Sequence, residues 1–140
     1  MPGRALIVAF DERYGPEIRR IRHAVFTHEQ GIGKDIDFDG QDPEAVHILV
    51  RRGRRFVATG RMLDDGHIGR LAVLKEHRGQ GLGAKAVRVL VQEARRLGIP
   101  RVSLGSQRHA VGFYEKLGFC ECGEPFMEAG IEHVEMEKAL

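Results

Sequence analysis

Six residues near the middle of the chain, Arg78-Gly79-Gln80-Gly81-Leu82-Gly83, combine a cation with three alternating glycines. Glycine lets a backbone approach an anion closely and adopt positive φ. The residues that follow predict a helix, whose first turn carries free N–H groups and the positive end of a dipole. A phosphate-bearing ligand is the chemistry this placement favours, although a bare Gly-x-Gly also makes an ordinary tight strand-to-helix turn. Residues 75–101 hold seven basic side chains against two acidic ones, a net of +5, with Arg78 and Lys85 within a turn of the loop. The distal arginines read equally well as a solvated helix face.

Gly81-x-Gly83-x-x-Ala86 formally fits a dinucleotide fingerprint. Residues 100–104, however, offer no acidic partner for a ribose, and the strand before the loop belongs to a meander rather than an alternating βαβ series. The Gly-Lys-Ser/Thr of a P-loop is also missing. Cys120 and Cys122 are separated by one residue, so a disulfide between them closes only a very small, strained loop. Reduced thiols in a cytoplasmic protein are the expectation. With no second cysteine pair, and no His-x-x-x-His spacing among seven histidines, no metal site is expected.

The elements that must position these residues follow from periodicity. Residues 5–10 read as a strand, and Ile18, Ile21, Val25 and Phe26 form the apolar stripe of a helix. A Gly- and Asp-rich connection, 31–43, leads to strands at 46–50 and 56–63 joined as a hairpin, and Asp64-Asp65-Gly66 turns the chain into a third strand, 68–74. From Gly81 the period becomes 3.6, with Leu82, Ala86, Leu90, Ala94 and Leu97 on one face and Gly98 and Pro100 as the stop. A strand at 102–104, a helix at 110–117 closed by Gly118, and strands at 119–122 and 134–136 complete the order β-α-β-β-β-α-β-α-β-β. This is an α/β (α+β) pattern: a mostly antiparallel sheet with one right-handed parallel crossover in its middle.

A length of 140 residues suits one domain spanning 1–140, and 42% hydrophobic with 30% charged residues is ordinary globular composition. The 18 glycines are roughly twice the average usage of ~7%. A net charge of only +2 gives no whole-molecule field of the kind a general nucleic-acid binder uses. The early apolar run, 5–10, is too short for a signal-peptide core or a membrane span.

Two segments resemble the GNAT superfamily of acetyl-CoA-dependent N-acyltransferases. Ile68-Gly69-Arg70-Leu71-Ala72-Val73 followed by Arg78-Gly79-Gln80-Gly81-Leu82-Gly83 is similar to that family's central strand and its Arg/Gln-x-x-Gly-x-Gly/Ala pyrophosphate loop. Ala110-Val111-Gly112-Phe113-Tyr114-Glu115-Lys116-Leu117-Gly118-Phe119 is similar to its second motif. A small bacterial subset is resembled further in Arg22-x-x-Val25-Phe26-x-x-Glu29-Gln30, the aspartates of 35–42, His47-Ile48 and Gly130-Ile131-x-His133-x-x-Met136. One departure is Gln107, where the family often has asparagine.

The resemblance implies a splayed parallel strand pair at a bulge, with the pantetheine arm of acetyl-CoA entering the gap like an added strand. Leu71, Ala72 and Val73 would then line the arm, Val73 N–H polarising the thioester carbonyl. Arg78, Gly79, Gln80, Gly81, Leu82, Gly83 and Ala84 would hold the pyrophosphate, with Gln107 in the asparagine's place. Tyr114 occupies the position whose hydroxyl faces the sulfur, and a phenol of pKa ~10 is protonated at neutral pH and can donate to the leaving thiolate. Glu29 is the first candidate for general base and His133 the second.

The implied function is N-acetyl transfer from acetyl-CoA to a small-molecule or peptide amine by direct attack in a ternary complex. No nucleic acid or membrane partner is implied, and a homodimer is left open. A non-catalytic acyl-CoA-binding or regulatory module is the alternative. Residues 29–44 carry six acidic side chains against Lys34, and residues 121–137 carry six glutamates with no Lys or Arg. If these segments border the acceptor cleft they attract a cationic amine; if they are solvated faces, nothing follows.

Overall fold

The computed structural model describes residues 3–140, with only the backbone of Asp35 and Ile36 included. The Asp35 side chain, one of the acidic groups counted above, thus lies outside the described residues. β1 (Arg4–Val8) leads to α1 (Gly15–Arg22), which Pro16 enters and which buries Ile18 and Ile21. The same helix widens into a π-helical segment (His23–Glu29), where Gln30 N–H donates to Val25 O, five residues back, at 3.1 Å. Such wide turns are rare and gather at functional sites. The connection 31–43 contains a short helix, α2 (Lys34–Asp37).

β2 (Val46–Arg52), β3 (Arg55–Met62) and β4 (Ile68–Val73) form the expected meander, and β1 joins it in the order β1-β2-β3-β4, antiparallel throughout. α3 (Leu82–Arg96) then covers this sheet with Leu82, Ala86, Val87, Leu90, Val91 and Ala94 buried. Removing a buried leucine such as Leu90 from a layer of this kind costs about 2–5 kcal/mol. Leu97, expected on the same face, is 48% exposed because the helix ends at Arg96 and the chain turns away at Gly98.

β5 (Arg101–Gln107), α4 (Val111–Lys116), β6 (Cys120–Glu121), β7 (Phe126–Glu128) and β8 (Ile131–Ala139) build a second sheet in which β8 pairs with all three other strands. The expected strand at 134–136 is the middle of this nine-residue strand, and β7 has no counterpart in the sequence reading. Cys120 is exposed and Cys122 half-buried, and both are free thiols.

The crossover β4–α3–β5 sets β4 and β5 side by side in parallel. They are joined at one bridge, His67 with Ser103, where Ser103 N–H donates to Gly66 O at 3.1 Å. Gly66 has φ +91, and a Cβ there would stand 2.4 Å from Arg101 O, so no other residue fits this junction. Beyond it the strands diverge. Among the described residues no helix is long and apolar enough to cross a membrane.

Candidate active site

Where β4 and β5 part, a cleft of about 280 Å³ opens. Its geometry begins with a bulge in β4. Gly69 faces Arg61 and Ala72 faces Thr59, so Arg70 and Leu71 together oppose the single residue Gly60. Arg70 has φ +52, a left-handed conformation that costs a side-chain-bearing residue free energy. Ion pairs hold it there: Arg70 Nε lies 3.3 Å from Asp37 Oδ1, and Nη2 3.3 Å from Asp39 Oδ2. The bulge turns Leu71 to the cleft while Ala72 stays buried against the core. Past the His67 bridge no strand pairs with the outer edge of β4 among the described residues. Such an edge can accept an extended ligand as an added strand.

Tyr114, from α4, lines the cleft. Burial against Phe113 and Phe119, with ring centroids 4.9 and 6.1 Å away, pushes its phenol up to about 12, so it keeps its proton at neutral pH. His133, from β8, lines the same cleft and stacks on Phe126 at 5.6 Å. Its Nδ1 is 2.7 Å from Ile131 O. A carbonyl only accepts, so Nδ1 carries the proton, and the neutral ring keeps its lone pair on Nε2. Gln107 ends β5 opposite His133 and also borders the cleft.

The glycine loop stands outside this cleft. Gly79 and Gly81 have φ +77 and +78, and a Cβ at either would meet nothing within 4 Å, so the loop presents open backbone. Gly81 precedes α3 with no side-chain cap, leaving first-turn N–H groups of a 15-residue helix facing outward. Leu82 is buried and offers a ligand only its backbone, whereas Gly83 lies against Val73 and Phe113. Gln80 accepts a hydrogen bond from Arg52. Arg78 bends back, donating from Nε to Val73 O at 3.0 Å and from both terminal nitrogens to the two oxygens of Glu29 at 2.6 Å each.

Glu29, the first candidate for base, is therefore not in the cleft; its neighbour Gln30 is. The Arg78 hydrogen bonds hold its carboxyl below the usual carboxylate range. The acidic connection is also spent internally. Asp37, Asp39 and Asp42 pair with Arg22, Arg61 and Arg70 at 2.6–3.3 Å, so each of these carboxylates already faces a guanidinium. In the second acidic segment, Arg108 reaches Glu121 and Glu132, and Arg101 reaches Glu137. Glu128 borders the cleft, and Glu135 titrates above the usual range because of burial and then of its neighbour Glu128.

Sequence reasoning named Asp37 and Glu128 only as members of the two acidic segments and gave no individual role to Arg70, His67 or Gln30; all five line the cleft. The alternating aspartates were visible, but which arginine each one meets is set by separations of 15 to 33 residues. Among the described residues no group of three or more His, Cys, Asp or Glu side chains is placed to hold a metal ion. Cys122 is a poor nucleophile, since burial and then Glu137 push its thiol up.

Residues 17–140 match the family model of the acetyltransferase (GNAT) domain. The YjcF protein of Bacillus subtilis, named as an uncharacterized N-acetyltransferase, is 33% identical over 136 residues, 94% of this chain and 97% of its own. The crystal structure of Escherichia coli ElaA superimposes with a TM-score of 0.85 at 27% identity, over 97% of this chain and 99% of that one. An acyl-CoA N-acyltransferase from Pseudomonas aeruginosa does so with a TM-score of 0.87 at 27% identity, over 98% and 99%.

Proposed function

The chain belongs to the GNAT acetyltransferase family and is an acyltransferase, and from that premise we propose that its one domain, 1–140, moves an acetyl group from acetyl-CoA to an amine. The family uses acyl-CoA donors and acts on small-molecule or peptide acceptors. The observation that carries the narrower reading is the meeting of Tyr114, His133 and the bulged strand at Leu71 in one cleft.

The acceptor amine gives a proton to His133 Nε2 as its lone pair attacks the thioester carbonyl carbon. The carbonyl oxygen gains the charge and draws on the backbone at Val73. Collapse of this intermediate breaks the carbon–sulfur bond, and the departing thiolate takes the Tyr114 proton. Solvent then returns a proton to Tyr114 and removes one from His133. The pantetheine arm lies along Leu71, Ala72 and Val73, with Gln107 at its rim. The pyrophosphate sits on the backbone of residues 79–84 and on Arg78, whose guanidinium trades Glu29 for it. Glu29 thus holds Arg78 in the free protein, and the base is His133.

Thermal-shift titration tests the donor side. CoA at 100 times its dissociation constant should stabilise the protein by about 2.7 kcal/mol. A shift with NAD or ATP and none with CoA would remove the reading.

A further inference from the structure

Asp37 ends α2 with its side chain in the interior, 2% exposed. Its Oδ1 accepts from Arg22 Nε at 3.1 Å, and its main-chain oxygen accepts from Arg22 Nη2 at 2.7 Å and Arg70 Nε at 3.0 Å. Oδ2 is equally buried and accepts no hydrogen bond from any described residue. Around it, among the described residues, Asp37, Asp39 and Asp42 face Arg22, Arg61 and Arg70, while one carboxylate oxygen of Asp37 is left over. A buried acceptor without a donor costs free energy, and each such group needs an explanation.

The open space that Asp37 borders is the cleft containing Tyr114 and His133. Oδ2 is covered in the free protein, so a donor on a ligand filling the cleft meets it once the Asp37 carboxylate turns toward that space. Resting on the acetyl-transfer reading above, we propose that Asp37 Oδ2 accepts an N–H from a second, non-reacting cationic nitrogen of the acceptor, so that the cleft selects diamines over monoamines. The reacting nitrogen does not suit this role, because an ion pair with a carboxylate holds its proton and the attack needs its lone pair. The rest of the lining fits a cation. Glu128 is exposed and borders the cleft, and Arg70, the one arginine among the described residues of its wall, is turned onto Asp37 and Asp39.

The test compares the four-carbon diamine putrescine with n-butylamine and the corresponding amino alcohol, by thiol release from acetyl-CoA and by calorimetric binding to the CoA-loaded protein. A hydrogen bond to a charged group predicts that putrescine is preferred over n-butylamine by about 10-fold or more in kcat/KM, with the amino alcohol between them. Asp37→Asn should collapse that ratio toward one. Because this variant also loosens Arg22, the selectivity of the unaltered protein is decisive by itself. Equal use of putrescine and n-butylamine overturns the proposal and leaves an ordered water as the partner of Oδ2, with acetyl transfer intact. Selective binding of putrescine without thiol release from any amine removes the transferase reading and keeps the Asp37 site. Neither binding nor release overturns both.

Discussion

Arg78 and Glu29 meet in a two-pronged ion pair, each terminal nitrogen of the guanidinium 2.6 Å from one carboxylate oxygen, across 49 residues of sequence. The same guanidinium donates from Nε to Val73 O. One side chain therefore ties the end of β4 to the end of the first helix, spanning the place where the proposed donor would lie. Glu29 and a pyrophosphate are both anions, and they compete for one cation.

That competition sets a sign. Glu29→Gln should raise the affinity for CoA, by up to about 5-fold, the range of a partly exposed ion pair. Arg78→Ala should lower it, because the pyrophosphate loses its side-chain partner. Titration calorimetry with CoA checks both. Unchanged or weaker binding in Glu29→Gln would mean that the carboxylate does not compete for Arg78.

The buried charges predict how stability responds to acid. His47 is fully buried, its Nε2–H donating to Asp42 O at 2.9 Å, and burial lowers its pKa below 6.5. The folded state then binds fewer protons than the unfolded one just below ~6.5, so stability is complete above that pH and falls as pH drops through the window beneath it. Asp39, held low by Arg61, and Asp42, where Arg22 and Arg61 outweigh burial, contribute stability that is present above ~3.9 and lost further down. Melting temperature followed against pH should begin to fall below about 6.5. His47→Gln should delay the fall to the carboxylate range; an identical profile would remove His47 from the account.

Gly66 supports the junction where the two sheets touch. With φ +91 and only 2.4 Å between a would-be Cβ and Arg101 O, Gly66→Ala forces the backbone apart at the His67–Ser103 bridge. A loss of about 1–3 kcal/mol or more is expected from urea unfolding. A variant as stable as the parent would show that the junction tolerates displacement.

How much of this was legible in the sequence depends on the range of the interactions. α3 was readable because Leu82, Ala86, Leu90 and Ala94 repeat a local period that its buried face follows. The meander was readable from Gly53 and Gly66, both at positive φ in the turns. β7 was not, since three residues carry no period and pair with β8 through a turn in which Ala129, a residue with no turn signature, takes φ +52. Tyr114 and His133 were readable as candidates from their motifs, and the structure brings both to one cleft. The pairing of Glu29 with Arg78 and the Asp37 network were not, because a local pattern gives charges without their partners.

Tyr114 gives an alkaline test. With its phenol pushed up to about 12, kcat should not fall as pH rises through about 10, where an ordinary phenol would be half ionised. A decline centred near 10 would mean that the hydroxyl is exposed to solvent in the working complex.

The most direct measurement is release of free thiol from acetyl-CoA across a panel of amines, run with the parent protein beside Tyr114→Phe. The account predicts amine-dependent release that falls on the order of 10²-fold in the variant, with CoA binding retained. No amine-dependent release, or an unchanged rate in Tyr114→Phe, would contradict it.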